Sequence, residues 1–237
     1  MNIFLTMAGK YERFKKDGFK VPKYLLPWGS ETILSKILTN LLNKNINNTY
    51  LIANKNDEVY SPHLLDHLKK FNIPRKNLFY INSTSGQAET ANLALTLAED
   101  LDDYRGKFCI HNIDTILYDR DLNKVQKKIE TNDIYIDVFK SNNKDYSYVL
   151  VKDNTDLVLD ILEKKVISNL ASSGMYGFKS YEKFKSLYNK KHLYISEVIK
   201  EGIENNQKTC IGDIFNENNT IVLGTPSEYE SNSILML

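Results

Sequence analysis

The sequence predicts an α/β fold in which a mostly parallel, doubly wound central sheet carries a mixed-sheet extension, and two patterns lead to it. From Asn2 to about His111, short apolar runs alternate with segments whose apolar residues recur at helical spacing; beyond Leu122, strand-like runs outnumber helical ones. Parallel neighbours need helical crossovers that cover both faces of a sheet, so the first pattern reads as parallel pairing. Strands joined by short polar turns, as in the second pattern, read as antiparallel. The 237 residues suffice for one large domain with a substantial core. A single domain over 1–237 is therefore expected, with a first half to about residue 120 and a second half beyond it.

Taken in order, residues 3–8 form an apolar run suited to a strand buried on both faces. Ile33, Leu34, Ile37, Leu38, Leu41 and Leu42 fall on one face of a helix. Residues 49–53 read as a second strand, and Val59, Leu64, Leu65, Leu68 and Phe71 mark a second helix that Pro74 stops. A third strand is expected over 78–81, a third helix on Ala91, Leu95, Ala98 and Leu101, and a fourth strand over 107–111 that ends at Asn112-Ile113-Asp114-Thr115. In the second half, 134–139, 146–151 and 157–162 read as strands, the last two joined across a polar turn at 152–156. A strand over 173–178, helices over 181–188 and 195–204, and short strands over 209–211 and 220–223 follow. Gly224-Thr225-Pro226 then opens a short helix with Pro as an early residue.

Composition narrows the function classes. Lys plus Arg total 31 against 30 for Asp plus Glu, so no general attraction to nucleic acid or to a membrane surface is indicated, and a basic site must be local. Cys109 and Cys210 lie in strand-like segments without metal-ligand spacing, which suits buried thiols in a reducing compartment. No basic amino-terminal region leads into a long apolar stretch, so a cytoplasmic protein is the expectation.

One local basic site stands out. The first strand runs into Gly9 and then meets Lys10, Arg13, Lys15, Lys16, Lys20 and Lys23. A backbone that approaches a polyanion benefits from a Gly, because a Cβ would hold it away, and cationic side chains nearby supply phosphate contacts; a basic surface loop is the plainer reading. Ligands of doubly wound sheets bind beyond the carboxyl ends of the strands, so this loop and Asp114 face one crevice. Asp114 there suits a hard divalent cation, or else merely forms a turn. Thr84 to Gln87 has capping-box spacing at the start of the third helix. The Glu163-Lys164 pair, taken alone, reads as solvated surface. His63 and His67 sit four apart, but with no Glu beside the first and no third ligand they read as ordinary helix surface. His111 and His192 have no evident nucleophile to serve, which argues against acyl transfer.

Ala8, Gly9, Arg13, Pro22, Lys23, Leu25 and Pro27, in this order after a strand, resemble the opening of the nucleotidyltransferase superfamily that activates sugar phosphates and similar small phosphates. One position departs: Tyr11 stands where many members carry a second Gly. Gly86-Gln87, Asn112-Ile113-Asp114, Glu163-Lys164 and the stretch from Asn169 through Gly174 to Tyr176 fit the same resemblance. It implies a Rossmann-like three-layer α/β/α nucleotidyltransferase (GT-A-like) fold, with the nucleotide held by the first half and the acceptor by the second. It also implies transfer of a nucleoside monophosphate from a nucleoside triphosphate to a small phosphorylated acceptor, with release of pyrophosphate.

By the same resemblance, Arg13 and Lys23 are the catalytic pair, and Ala8, Gly9, Lys10, Tyr11, Gly86 and Gln87 bind the nucleotide, Gln87 reading the base. Glu163, Lys164, Asn169 and Gly174 bind the acceptor, and Asp114 holds Mg²⁺. Many members place a second Asp just before the late Gly-Thr-Pro; Val222 stands there in this chain and cannot ligate. The Met-Ala-Gly opening and the Arg-Phe pair look like the capsule and surface-polysaccharide branch, some of whose members use CTP with phosphocholine or phosphoglutamine, so a cytidylyltransferase is the expectation. A GT-A-type glycosyltransferase, which usually shows Asp-x-Asp, and a non-catalytic nucleotide-binding homologue are the alternatives. A homodimer is compatible with this reading but not specified by it.

Overall fold

The computed structural model describes residues 1–42, 46–216 and 218–233. Strand β1 (Asn2–Met7) shows how the core is divided. Side chains alternate across a strand, and here Ile3, Leu5 and Met7 enter one buried cluster while Phe4 enters another. Both faces are apolar, so both must be covered.

In chain order β1 is followed by a short helix α1 (Glu12–Lys16), a small hairpin β2 (Pro27–Trp28) and β3 (Glu31–Thr32), helix α2 (Ile33–Leu41) and strand β4 (Thr49–Asn54). Helix α3 (Ser61–Lys70), β5 (Leu78–Ile81), α4 (Gln87–Glu99), β6 (Phe108–Asn112), β7 (Thr115–Leu117) and α5 (Leu122–Thr131) come next. The second half holds β8 (Ile134–Lys140), β9 (Tyr148–Val151), β10 (Val158–Leu162), β11 (Leu170–Phe178), α6 (Tyr181–Leu187), α7 (Ile195–Glu204), β12 (Thr209–Phe215), β13 (Thr220–Val222) and α8 (Pro226–Ser233).

The buried residues of α2, α3 and α5 join Ile3 and Leu5 on one side; those of α4, α6 and α7 join Phe4 on the other. This is the three-layer α/β/α arrangement. Among the described residues the central sheet has nine strands. Its first half is parallel, in the order β5-β4-β1-β6. Because β4 lies on one side of β1 and β6 on the other, the chain reverses its winding at β1, and the loops after β1 and β6 splay apart there. That switch point is where such sheets bind ligands. Strand β11 then pairs antiparallel with β6, β8 and β9, and so forks the sheet into the mixed extension.

Four features differ from the sequence expectation. Helix α5 is not among the elements expected, although Leu122, Val125 and Ile129 are buried at helical spacing and Asp121 caps its start by accepting from the amides of Asn123 and Lys124. The small pieces α1, β2, β3 and β7 are too short to show a period. Residues 55–60 form a 3₁₀ turn ahead of α3, and Val59 is 73 % exposed, so it does not belong to the apolar face of that helix. His67 is not plain helix surface: it is buried, its Nε2 bonds Thr32 Oγ1 at 2.7 Å and its Nδ1 bonds the His63 carbonyl at 2.6 Å, which docks α3 on the hairpin. Both cysteines are buried thiols, as the sequence implied. No described helix is long and apolar enough to cross a membrane.

Candidate active site

A cleft of about 690 Å³ opens over the switch point. Its walls include Ala8, Gly9, Lys10, Tyr11, Arg13 and Lys23 from the loop after β1, and Gly86 and Gln87 from the start of α4. Asp114 after β6, Gly174 in β11, and Glu163 and Lys164 after β10 complete this set. Of the residues to which the resemblance gives a catalytic, binding or metal role, only Asn169 is absent from the lining. It is exposed before β11, and its carbonyl accepts from the Ser141 amide at 3.1 Å.

The loop after β1 leaves Gly9 and Lys10 exposed. A Cβ on Gly9 would meet nothing within 4 Å, so no packing inside the protein requires a glycine there. Pro22 sets up the 3₁₀ turn Lys23–Leu25, which lifts Lys23 over the cleft. Its Nζ donates to Asp114 Oδ2 at 2.8 Å. Burial would push the Asp114 carboxyl up, but the Lys23 ammonium outweighs that, and the carboxyl titrates below the usual range.

Opposite the loop, Gln87 is the first residue of α4 and Gly86 its cap. The capping-box alternative does not hold. Gln87 Nε2 turns away from the helix start and donates to Thr6 Oγ1 at 3.0 Å and to Asn112 Oδ1, while Glu89 accepts from the amide and hydroxyl of Ser85. Both N–H bonds of the amide are thus committed to strand ends, and among the described residues no protein donor reaches Gln87 Oε1. Gly86 has an internal reason to be glycine: its backbone is extended, and a Cβ would lie 2.2 Å from the Leu193 carbonyl oxygen, which already accepts from the Ala88 amide.

The second half supplies the far wall. Glu163 Oε2 accepts from Ser147 Oγ and from Ser196 Oγ at 2.7 Å. Lys164, in the left-handed region at φ 52, turns its ammonium onto the Tyr194 phenol at 3.2 Å and sits near enough to Arg13 to feel its charge. The pair is therefore held against the cleft rather than loose on the surface. Gly174, at φ 85, occupies the register shift of β11, and a Cβ there would strike the Asn112 amide. Beside it, Ser173 Oγ is buried with no hydrogen-bond partner among the described residues.

Some lining residues carry no sequence signal of their own. Tyr146 donates to Glu228 Oε1 at 2.9 Å, and Glu228 Oε2 in turn accepts from the Thr225 amide and hydroxyl. The Thr225-to-Glu228 spacing is that of a capping box, which is the one cue that could have flagged Glu228.

Among the described residues no group of three His, Cys, Asp or Glu is placed to hold a metal. Val222, at the end of β13, lines the cleft without offering a donor. The donor set still fits Mg²⁺, which takes few protein oxygens and completes its shell with water and phosphate: Asp114 is ionised and borders the cleft.

A parallel sheet with a 3-2-1-4 start, a cation-bearing loop at its switch point and an amide facing it across the cleft define a nucleotide-handling α/β protein. The chain belongs to the nucleotidyl transferase family, whose family model matches residues 8–216. It is 27 % identical over 182 residues to the bifunctional protein GlmU of Methanococcus aeolicus; the match covers 76 % of this chain and only 40 % of that protein. Among solved structures it is similar to a nucleoside-diphosphate-sugar pyrophosphorylase from Vibrio cholerae RC9, with TM-score 0.81, 23 % identity, and 97 % of this chain and 98 % of that one covered. It is also similar to the inositol-1-phosphate CTP transferase from T. maritima, with TM-score 0.76, 16 % identity, and coverage of 99 % and 94 %. At such identities the structural matches establish the fold, which is the nucleotidyltransferase fold that the sequence implied.

Proposed function

We propose that this protein transfers a nucleoside monophosphate, with CMP favoured, from the triphosphate to a small phosphorylated acceptor in capsule or surface-polysaccharide biosynthesis. The acceptor is a sugar 1-phosphate or a phosphorylated non-sugar such as phosphoglutamine. An acceptor phosphate oxygen forms a bond to the α-phosphorus while the bond from that phosphorus to the bridging oxygen breaks, and pyrophosphate leaves. The nucleophile is already an anion, so the protein's task is alignment and charge compensation. Lys10 and Arg13 draw the β- and γ-phosphates into the loop, and the open space over Gly9 admits them. Lys23 moves from Asp114 towards the phosphate in transfer. Asp114 and the nucleotide oxygens would hold Mg²⁺, which supplies Lewis-acid charge at the phosphates when bound. Glu163, oriented by two serine hydroxyls, accepts from acceptor hydroxyls, and Lys164 faces the acceptor phosphate.

The observation that carries the CMP preference is the committed amide of Gln87. With both N–H bonds given to Thr6 and Asn112, its oxygen is the atom left for a base. At the position of the exocyclic amino group, an acceptor-only contact suits cytosine and opposes the O4 oxygen of uracil or thymine, although the N3–H of those bases or the amino group of adenine would also satisfy it. The test is pyrophosphate release with each of the four common triphosphates against a panel of phosphorylated acceptors. Release with CTP and a phosphorylated acceptor is expected; release confined to any other triphosphate would overturn the base assignment, and no release with any pair would overturn the catalytic one.

A further inference from the structure

Tyr11 holds φ 40 and ψ 41, a left-handed conformation that a bulky side chain adopts at a cost and that Gly tolerates freely. Something must hold it there. Its phenol donates to Asp57 Oδ1 at 2.5 Å, and the phenol of Tyr24, from the other arm of the same loop, donates to Asp57 Oδ2 at 3.0 Å. Asp57 is 1 % exposed and outside the cleft lining, so it touches no ligand. It lies in the 3₁₀ turn at residues 55–60 after β4, and that turn is itself tied down: Asn54 accepts from the Asn56 amide and donates to the Ala8 carbonyl at 3.0 Å. Tyr60 adds a third fastening, to the Lys20 carbonyl at 2.7 Å. Tyr11 adjoins Lys10 and opens α1, which carries Arg13; Tyr24 adjoins Lys23. One buried carboxylate therefore grips both cation-bearing arms of the loop.

We propose that Asp57 is a positioning residue for nucleotidyl transfer: by accepting from Tyr11 and Tyr24 it fixes the spacing between the Lys10–Arg13 arm and the Lys23 arm. This rests on reading the loop as the triphosphate site. It also explains why a Tyr stands where the resemblance expects Gly: the side-chain tether imposes the backbone shape that a Gly would merely permit. A misplacement of about 1 Å in such a site is worth up to about 10² in rate.

The experiment compares the wild-type chain with Tyr11→Phe, Asp57→Asn and the two combined. Amide hydrogen exchange over residues 9–25, measured without substrate, reads the tether itself; faster exchange in both single variants, with melting temperatures close to wild type, is expected. With the triphosphate that the wild type prefers, its KM should rise about tenfold in Asp57→Asn while KM for the phosphorylated acceptor stays fixed. The combined variant should be no worse than Asp57→Asn alone, since the carboxylate acts through the phenol. Unchanged loop exchange would overturn the proposal. So would a parallel rise in both KM values with a lowered melting temperature, which marks general destabilisation. If the wild type turns over no triphosphate, the functional reading fails and the catalytic consequence of the tether falls with it, while the exchange measurement still decides whether Asp57 holds the loop.

Discussion

Lys23 faces two partners of opposite consequence. In the structure its Nζ pairs with Asp114 at 2.8 Å; in the proposed reaction it leaves that carboxylate for the phosphate in transfer, and Asp114 turns to the cation. Its side chain is only 18 % exposed, so truncation also removes the packing of its aliphatic stem. Lys23→Ala should lose on the order of 10² or more in pyrophosphate release while still unfolding in one cooperative transition; near-wild-type turnover would remove Lys23 from the mechanism. At this scale the sequence is legible only in part. Gly9, Arg13, Lys23, Gln87 and Asp114 are visible because their spacing along the chain resembles a family pattern, and the cleft gathers all of them. Asp57 is not visible, and Glu228 shows only as the end of a capping-box spacing from Thr225, because their roles in the site lie in partners 46 and 82 residues away, Tyr11 and Tyr146.

Elements show why a local pattern can mislead. The spacing from Thr84 to Gln87 is a sound capping signal, yet the helix start is set by something the local sequence does not display: the backbone at Leu193, just ahead of α7, lies against Gly86. With the Ala88 amide satisfied from there, Gln87 is released to reach the strand ends. Ala at position 86 would need that backbone to shift, because the clash is with a carbonyl and not with a flexible side chain. Gly86→Ala is therefore expected to lower stability by roughly 1–3 kcal/mol in chemical denaturation. It should also weaken nucleotide binding through the displaced Gln87, read by calorimetric titration with CTP; unaltered affinity would separate Gln87 from the α4–α7 contact. Helix α5 carried the opposite lesson. Its period and its Asp121 cap are both present in the sequence, but they span only ten residues between strand segments.

The two halves of the molecule are joined beneath the cleft by a buried polar network. Arg120 Nε donates to Asp137 Oδ2 at 2.5 Å, with side chains only 2 % and 0 % exposed; Tyr135 donates to the other Asp137 oxygen, and Arg120 Nη1 donates to His111 Nε2 at 3.2 Å. His111 must then carry its proton on Nδ1, facing the Asn112 carbonyl, which fixes the end of β6 from which Asp114 projects. Removing one partner of a buried pair leaves an uncompensated charge, so Arg120→Ala should cost about 3–5 kcal/mol, whereas replacing Arg120 and Asp137 together by Leu should recover most of that loss. Burial, and after it the Arg120 charge, push the His111 imidazole down to about 3. A folded value below the ordinary one of about 6.5 gives stability that is full above pH 6.5 and is lost as pH falls from there towards 3. The melting temperature should thus decline between about pH 6.5 and 5, before most carboxylates titrate. In the paired Leu variant the guanidinium is gone, the imidazole takes up its proton more readily in the folded state, and that decline should be shallower without vanishing, because burial remains. An acid limb as steep as in the wild type would show that Arg120 does not govern His111, and with it that the network does not set the end of β6.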